Sequence, residues 1–471
     1  MSHETEIINY ILYSEAEHNV LPLSSLCHNG CVFCSHKNIG PADYLYRFYD
    51  YKRQLSEVIE HIDFLDPSKK VFIGESATKI FEGEPFLFRG IIEVLRAVRR
   101  QVKKAAISIT TSGGFIPAAF FEIAEEIAPL EINFSLNSYN ESVRDKIVLD
   151  GKTKEAFENF EKLCAAGSDV KLSVSLMALN ASMTPADILL EDIGKIRRMT
   201  NLSVVKIYLP RFSGAQFHNF FADYGEFERY CRTVKSSLEG INDNALTTPV
   251  ILEPAPPDFD GGDILIHSVL PGSKAALKNV APKDKIKAVN GEAPLSKTHA
   301  YRMITASKKA PAVTVEPAGG ASSREIIFSG YNREKDGACG IVFTADIPGE
   351  TIEKLIGINK KLENLDKKGI VATTRLSADY MRNILEKFNI TSLSAAAFEN
   401  FRFGGNIDCV GLLTLEDIRV NMRSDANKKF RAGDINAIVL SSLMFDHLGR
   451  DLNGENIADF NRAAGFAVFI S

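Results

Sequence analysis

The chain is predicted to be an α/β protein, with a parallel sheet that is either open or curled into a partial barrel and two smaller modules after it. Three observations predict this. Up to about residue 240, short apolar runs alternate with amphipathic stretches of helical length. Residues 247–263, TTPVILEPAPPDFDGGD, are rich in Pro, Gly and Asp, as a linker or entry loop would be. From about Asp336, strand and helix patterns alternate again. The expected domains are therefore 1–246, 247–335 including the entry linker, and 336–471.

Six strand candidates open the chain: LPLSSL, KVFIGE, AISITT, EINFSL, VKLSVSLMA and SVVKIYL. Between and after them lie helix candidates such as FRGIIEVLRAVRRQV, KEAFENFEKLCAAG, PADILLEDIGKIRRM and YGEFERYCRTVKSSL. Strand-helix units repeated in this order predict parallel strands buried under helices. The third module is read from GIVATTRL, SADYMRNILEKF and DINAIVLSSLMF as an α/β unit of its own.

Composition bounds the partners and the compartment. At 471 residues the chain is long enough for several cores. Its 55 basic and 60 acidic residues give a formal charge of −5, so there is no general footprint for nucleic acid or anionic lipid. The start, MSHETEIINYILYSEAEHNV, lacks a basic region followed by an apolar core, and no later run is apolar enough to span a bilayer. A cytoplasmic protein is expected. Seven cysteines, three clustered and four scattered, suit a reducing compartment.

The cluster is the most informative feature. Cys27, Cys31 and Cys34 in SLCHNGCVFCSHK are spaced C-x3-C-x2-C, too tightly for a disulfide framework and one thiolate short of a closed four-cysteine site. Three thiolates on one loop can hold three irons of a [4Fe-4S] cluster and leave the fourth open. Gly30 is expected where the loop needs a positive φ, and Phe33 beside the last cysteine fits a loop wrapped around a cluster. The competing reading is a zinc knuckle with His28 or His36 as fourth ligand.

In this spacing the chain resembles the radical S-adenosylmethionine (SAM) enzymes. The resemblance selects a partial (β/α)6 TIM-like barrel, with the cluster loop after the first strand. It implies that the open iron chelates SAM, which is cleaved reductively to a 5'-deoxyadenosyl radical that abstracts hydrogen from a substrate. No catalytic residue beyond the cluster ligands is implied. Contacts to SAM are expected at the C-terminal strand ends. Ile73-Gly74-Glu75-Ser76 is similar to the Gly-Gly-Glu motif that meets the SAM amino group, with Ile73 departing from its first glycine. Thr111, Ser135, Asn137 and Ser173 stand at later strand ends, and Arg144 is placed to reach a carboxylate from the following helix. The partners implied are an unidentified substrate, small molecule or peptide, and an electron donor such as flavodoxin or ferredoxin.

The middle module looks like a PDZ domain through Pro271-Gly272-Ser273-Lys274, Lys283-Asp284-Lys285-Ile286 and Val289-Asn290-Gly291-Glu292, where Asn-Gly supplies a tight turn. PDZ domains capture a peptide carboxylate in a backbone nest. Here that loop reads PPDFDGGD, so a PDZ-like fold with peptide and one without both remain open. The last module resembles, through Phe403-Gly404-Gly405-Asn406, Gly411 to Thr414 and Asp417-Ile418, the C-terminal domain of uncharacterised function found beside PDZ and radical SAM modules. Asn406, Thr414 and His447 are polar residues near glycines, read either as facing a ligand or as serving turns and caps. Cys164 and Cys231 are read as core. The second function class is a non-catalytic metal- or cluster-binding scaffold whose PDZ module recruits a protein partner.

Overall fold

A computed structural model describes residues 3–34, 53–77, 80–167, 169–244, 247–254, 257–424 and 435–471. It divides into two compact units. The first holds six strands: β1 (Val71–Ile73), β2 (Ile107–Thr111), β3 (Leu130–Asn137), β4 (Val170–Met177), β5 (Leu202–Tyr208) and β6 (Val250–Glu253). They form one sheet in the order β1-β2-β3-β4-β5-β6, every neighbouring pair parallel. Helices including Ile91–Gln101, Thr153–Cys164, Ala186–Ile196 and Tyr224–Ser237 occupy the connections, as the amphipathic stretches predict.

The six strands are not the six expected. LPLSSL forms no strand; Val20, the residue before it, makes a single parallel bridge with Phe72, closed by Leu21 N–H to Phe72 O at 2.9 Å and Phe72 N–H to Asn19 O at 2.9 Å. Pro22 then follows, and a residue without an N–H cannot continue a ladder. The segment beyond it is held by loop contacts instead: Gly83 donates to Ser24 O at 2.7 Å and Glu84 to Leu26 O at 3.0 Å. Conversely, the supposed linker 247–263 supplies β6. Val250-Ile251-Leu252 is a β-branched and apolar run bounded by Pro249 and Pro254, so these prolines flank a strand rather than prevent one. The expected boundary at 246 is thereby corrected, since residues 247–253 belong to the first unit.

The sheet is not buried evenly on both sides. In β3, Leu130, Ile132, Phe134 and Leu136 are buried while Glu131, Asn133 and Ser135 are half-buried. In β4 the same alternation separates Leu172, Val174 and Leu176 from Ser173, Ser175 and Met177. Period two places these two sets on opposite faces. One face is an apolar core, and the other is polar and reachable.

In the second unit, β7 (Ser268–Val269) and β11 (Ile341–Val342) pair antiparallel, and β8 (Lys285–Val289), β9 (Ala312–Glu316) and β10 (Arg324–Ile327) form an antiparallel sheet. Asn290 and Gly291, both at positive φ, close the tight turn after β8 as expected, with Val289 N–H to Glu292 O at 2.8 Å. β12 (Gly369–Thr373), β13 (Leu393–Ala397), β14 (Ala437–Leu440) and β15 (Ala467–Ile470) make a parallel sheet in the order β13-β12-β14-β15. Because β11 lies beyond 336 yet pairs with β7, the expected boundary there also moves.

The two C-terminal modules, expected as separate domains, pack as one unit. Asp346 accepts from Lys297 N–H and Thr298 N–H, both at 2.8 Å, and from Tyr380 O–H at 3.1 Å. Phe259 lies edge-on to Tyr380 with ring centroids 6.2 Å apart, beside Ile352 and Ile384.

Asn406 and Thr414 do not face solvent. Asn406 is fully buried and accepts the Phe212 N–H on Oδ1 at 2.5 Å, while its own N–H returns to Phe212 O at 3.1 Å. Thr414 caps the helix Leu415–Arg423 in a reciprocal box with Asp417. His447 is exposed.

Candidate functional site

The cysteine loop follows the Val20 bridge and is fixed from two sides. Ser24 and Leu26 are tied to residues 83 and 84, and Val32 N–H donates to Ile147 O at 3.0 Å, at the end of the helix Glu141–Val148. Gly30 is not at positive φ, contrary to expectation. Its reason is close approach: a Cβ there would fall 2.8 Å from Leu149 Cβ.

Cys27 is exposed and Cys31 and Cys34 are half-buried. Cys34 N–H donates to Cys31 O at 3.2 Å. Burial pushes the Cys31 thiol up to about 12, and the neighbouring Cys34 and Cys27 sulfurs add to the shift. Cys27, though the most exposed of the three, is raised by local desolvation as well, with Glu84 and Cys34 contributing. Cys27 and Cys31, whose ionisation is opposed in this way, need a cationic centre beside them before they can ionise together. Among the described residues, no three His, Cys, Asp or Glu side chains converge on a point where one metal ion could sit. Three thiolates on one loop are a donor set that a cubane can take, one iron corner to each. His28 packs against Phe115, with ring centroids 5.5 Å apart. His36 lies outside the described residues.

The second element of the site is the polar face of the sheet. Gly74 ends β1 at φ 77°, and a Cβ on it would lie 2.5 Å from Thr110 O, so only glycine fits. The turn aims Glu75 across the strands. Its Oε1 accepts from Thr110 Oγ1 at 2.8 Å and from Asn133 Nδ2 at 3.2 Å, and Asn133 Oδ1 accepts from Ser173 Oγ at 2.6 Å. The register Thr110–Asn133–Ser173 makes this a lateral row on three adjacent strands. Further along lie Tyr208 and Glu253, in register on β5 and β6. Burial, Glu253 and Glu75 together push the Tyr208 phenol up to about 12, which keeps it a neutral donor.

Of the residues expected to contact SAM, Glu75 and Ser173 meet in this row. Ser76 is exposed and accepts the Glu82 N–H at 3.0 Å. Thr111 is buried, and its hydroxyl donates to Glu84 at 2.6 Å. Ser135 is half-buried on the polar face, and its carbonyl accepts from Asn137 Nδ2 at 2.8 Å. Asn137 itself is buried at φ 68°, its amide nitrogen turned back on its own strand. Arg144 is the clearest correction. Its side chain is fully buried and makes a two-point ion pair with Asp150, at 3.0 and 2.9 Å, plus a bond to Thr153 Oγ1 at 2.9 Å. A guanidinium committed in this way is not available to a ligand carboxylate.

Asn133 and Glu84 are not singled out by the sequence reading. The signal for Asn133 is the period-two polarity of Glu131, Asn133 and Ser135, which the apolar reading of EINFSL passed over.

Behind the loop, Glu82 is buried and accepts the Leu23 N–H at 3.0 Å, while its Oε2 has no hydrogen-bond partner among the described residues. Burial raises its carboxyl well above 4.5. From pH 4.5 upward the unfolded chain releases this proton and the folded one keeps it, so stability falls as pH rises toward the folded value. Glu82→Gln is expected to lose this dependence, its thermal midpoint gaining on the wild type between pH 4.5 and 8. Parallel pH curves for the two apoproteins would exclude a protonated Glu82.

Comparison with known proteins bears on the same segment. Residues 21–189 match the family model of the Radical SAM superfamily. A GTP 3',8-cyclase of Rippkaea orientalis (strain PCC 8801 / RF-1) is 26% identical over 163 residues, which are 33% of this chain and 46% of that protein. The chain thus spans about half the length of the curated relative it matches. Among solved structures, Streptococcus suis SuiB bound to S-adenosylmethionine aligns at 15% identity over 54% of this chain and 53% of that one, with a TM-score of 0.32. SuiB bound to precursor peptide SuiA aligns at 14% identity over 54% of each chain, with a TM-score of 0.35. The FeFe-hydrogenase maturase HydG from Carboxydothermus hydrogenoformans aligns at 14% over 51% and 56%, with a TM-score of 0.30. Superpositions this loose carry no argument about substrate.

Proposed function

We propose that residues 21–189, which match the family model of the Radical SAM superfamily, work as the domain of enzymes that use a [4Fe-4S] cluster and SAM, and that Cys27, Cys31 and Cys34 hold the cluster in this chain. The observation that carries the proposal is the loop that brings Cys27, Cys31 and Cys34 within electrostatic reach of one another. When bound, the cluster and SAM supply a 5'-deoxyadenosyl radical for hydrogen abstraction from an unidentified substrate, a small molecule or a peptide. The chain's own residues bind and orient. Gly74 and Glu75 are read as the acceptors for the SAM amino group, with Thr110 and Asn133 holding the Glu75 carboxylate in place. Ser135 and Ser173 line the same face. Burial and the nearby Glu253 and Glu75 carboxylates keep the Tyr208 phenol protonated, so it is not a base. The electron donor is read as a flavodoxin or ferredoxin, and the compartment as the cytoplasm. No described helix is long and apolar enough to cross a membrane.

The test is anaerobic reconstitution with iron and sulfide, reduction with dithionite, and addition of SAM. Methionine and 5'-deoxyadenosine in equal amounts are expected by mass spectrometry. A colourless zinc protein that leaves SAM intact would overturn the assignment.

For the PDZ-like part, the observations favour a structural role over peptide capture. Its nest loop is engaged within its own unit: Lys297 Nζ donates to Asp258 O at 3.2 Å and pairs with Asp260, and Lys387 Nζ donates to Gly262 O at 2.7 Å. No binding of a fluorescent peptide with an apolar C-terminus is expected by anisotropy. Saturable binding lost on amidating the peptide terminus would restore the recruitment reading.

A further inference from the structure

Lys206 is the feature of the polar face that the cofactor assignment leaves unused. It sits in β5 between Val205 and Ile207, both fully buried on the apolar face, so period two turns Lys206 to the polar one. There it is in register with Ser175 on β4 and Ile251 on β6. It lies between the row containing Ser173 and the row containing Tyr208 and Glu253. The residue is half-buried, and its ammonium makes neither ion pair nor hydrogen bond with any described residue.

No described carboxylate of this face pairs with Lys206. Glu75 accepts from Thr110 and Asn133, Glu253 stands in register with Tyr208, and Glu131 is paired with Lys70. A partly desolvated ammonium with no ion-pair partner costs free energy that an anionic ligand would offset. Ammonium is also a pure donor, so its partner must be an acceptor. The other cation expected to meet a carboxylate, Arg144, is taken by Asp150.

We infer that Lys206, with Ser175 beside it, is an anion-binding position that receives a carboxylate or phosphate of a ligand seated on the polar face. The inference rests on the radical SAM reading only in that the methionine carboxylate of SAM is one source of such an anion. The other source is a second, acidic substrate.

The experiment separates the two sources and does not depend on turnover. Full-length reconstituted wild type, Lys206→Met and Lys206→Arg are titrated by calorimetry with S-adenosylhomocysteine, which has the carboxylate, and with 5'-methylthioadenosine, which lacks it. Inorganic phosphate is the third probe. Lys206→Met is expected to weaken S-adenosylhomocysteine or phosphate by about tenfold, the scale of one charge-assisted hydrogen bond, while 5'-methylthioadenosine is unchanged and Lys206→Arg recovers part of the loss. Loss for S-adenosylhomocysteine identifies the SAM carboxylate, and loss for phosphate alone identifies an acidic substrate. Unchanged affinity for both anions, or equal weakening of all three probes, overturns the inference. If the wild type binds neither nucleoside, the SAM reading fails and the phosphate arm alone decides Lys206: binding lost in Lys206→Met supports the anion site, and phosphate binding that is absent or unchanged overturns it.

Discussion

Cys31→Ala is expected to yield a folded protein that carries almost no iron after reconstitution and produces 5'-deoxyadenosine only at background. The substitution spares the scaffold. Cys34 N–H bonds to the Cys31 carbonyl, which alanine keeps, and the half-buried thiol is not among the core residues. What is lost is one of three thiolates, and two on the same loop cannot hold a cube at three corners. The effect should therefore appear first in iron content and visible absorbance, and in product because of it. Cys409→Ala is the matched control, being an exposed thiol in the second unit. Full iron content and undiminished SAM cleavage in Cys31→Ala would place the cluster elsewhere in the chain.

The second large effect concerns stability. Asp150→Ala should cost about 3–5 kcal/mol, because it leaves the fully buried Arg144 guanidinium without its carboxylate. The bonds from Arg144 to Thr153 Oγ1 and to Ser112 O, at 2.9 and 3.3 Å, supply no compensating charge. Arg144→Met in the same background should recover much of the loss, since the double variant buries neither charge. Urea unfolding of the apoproteins followed by circular dichroism gives both numbers. Asp150→Ala with wild-type stability and weakened binding of S-adenosylhomocysteine would return Arg144 to the role of a ligand contact. Leu149, whose close approach Gly30 accommodates, is next to Asp150, so the same variant should also loosen the cysteine loop.

How far the site was legible follows from how local each feature is. The three cysteines lie within eight residues, and their spacing alone narrows the metal chemistry. The order of the parallel strands follows the order of the strand-helix units, because short connections keep consecutive units adjacent. The ends of the sheet were misread for a chemical reason in each case. At one end Pro22 stops a ladder that the apolar pattern of LPLSSL suggests, and at the other Pro249 and Pro254 drew attention away from Val250–Glu253 between them. The polar face was present in the alternation of β3 and β4 but was hidden by reading those strands as buried throughout.

Residue types and periodicity were enough for the α/β class and the cysteine loop, because backbone geometry repeats every two or 3.6 residues whatever the surroundings. They were not enough to say which polar group meets which. Arg144 looked free for a ligand until burial paired it with Asp150, and Asn406 looked exposed until it closed on Phe212, 194 residues earlier in the chain. Lys206 is one lysine among many in the sequence, and is distinctive only because no described carboxylate pairs with it across the sheet. The energy of a buried charge depends on what lies across from it, and packing between distant segments is what puts a partner there or leaves the place open.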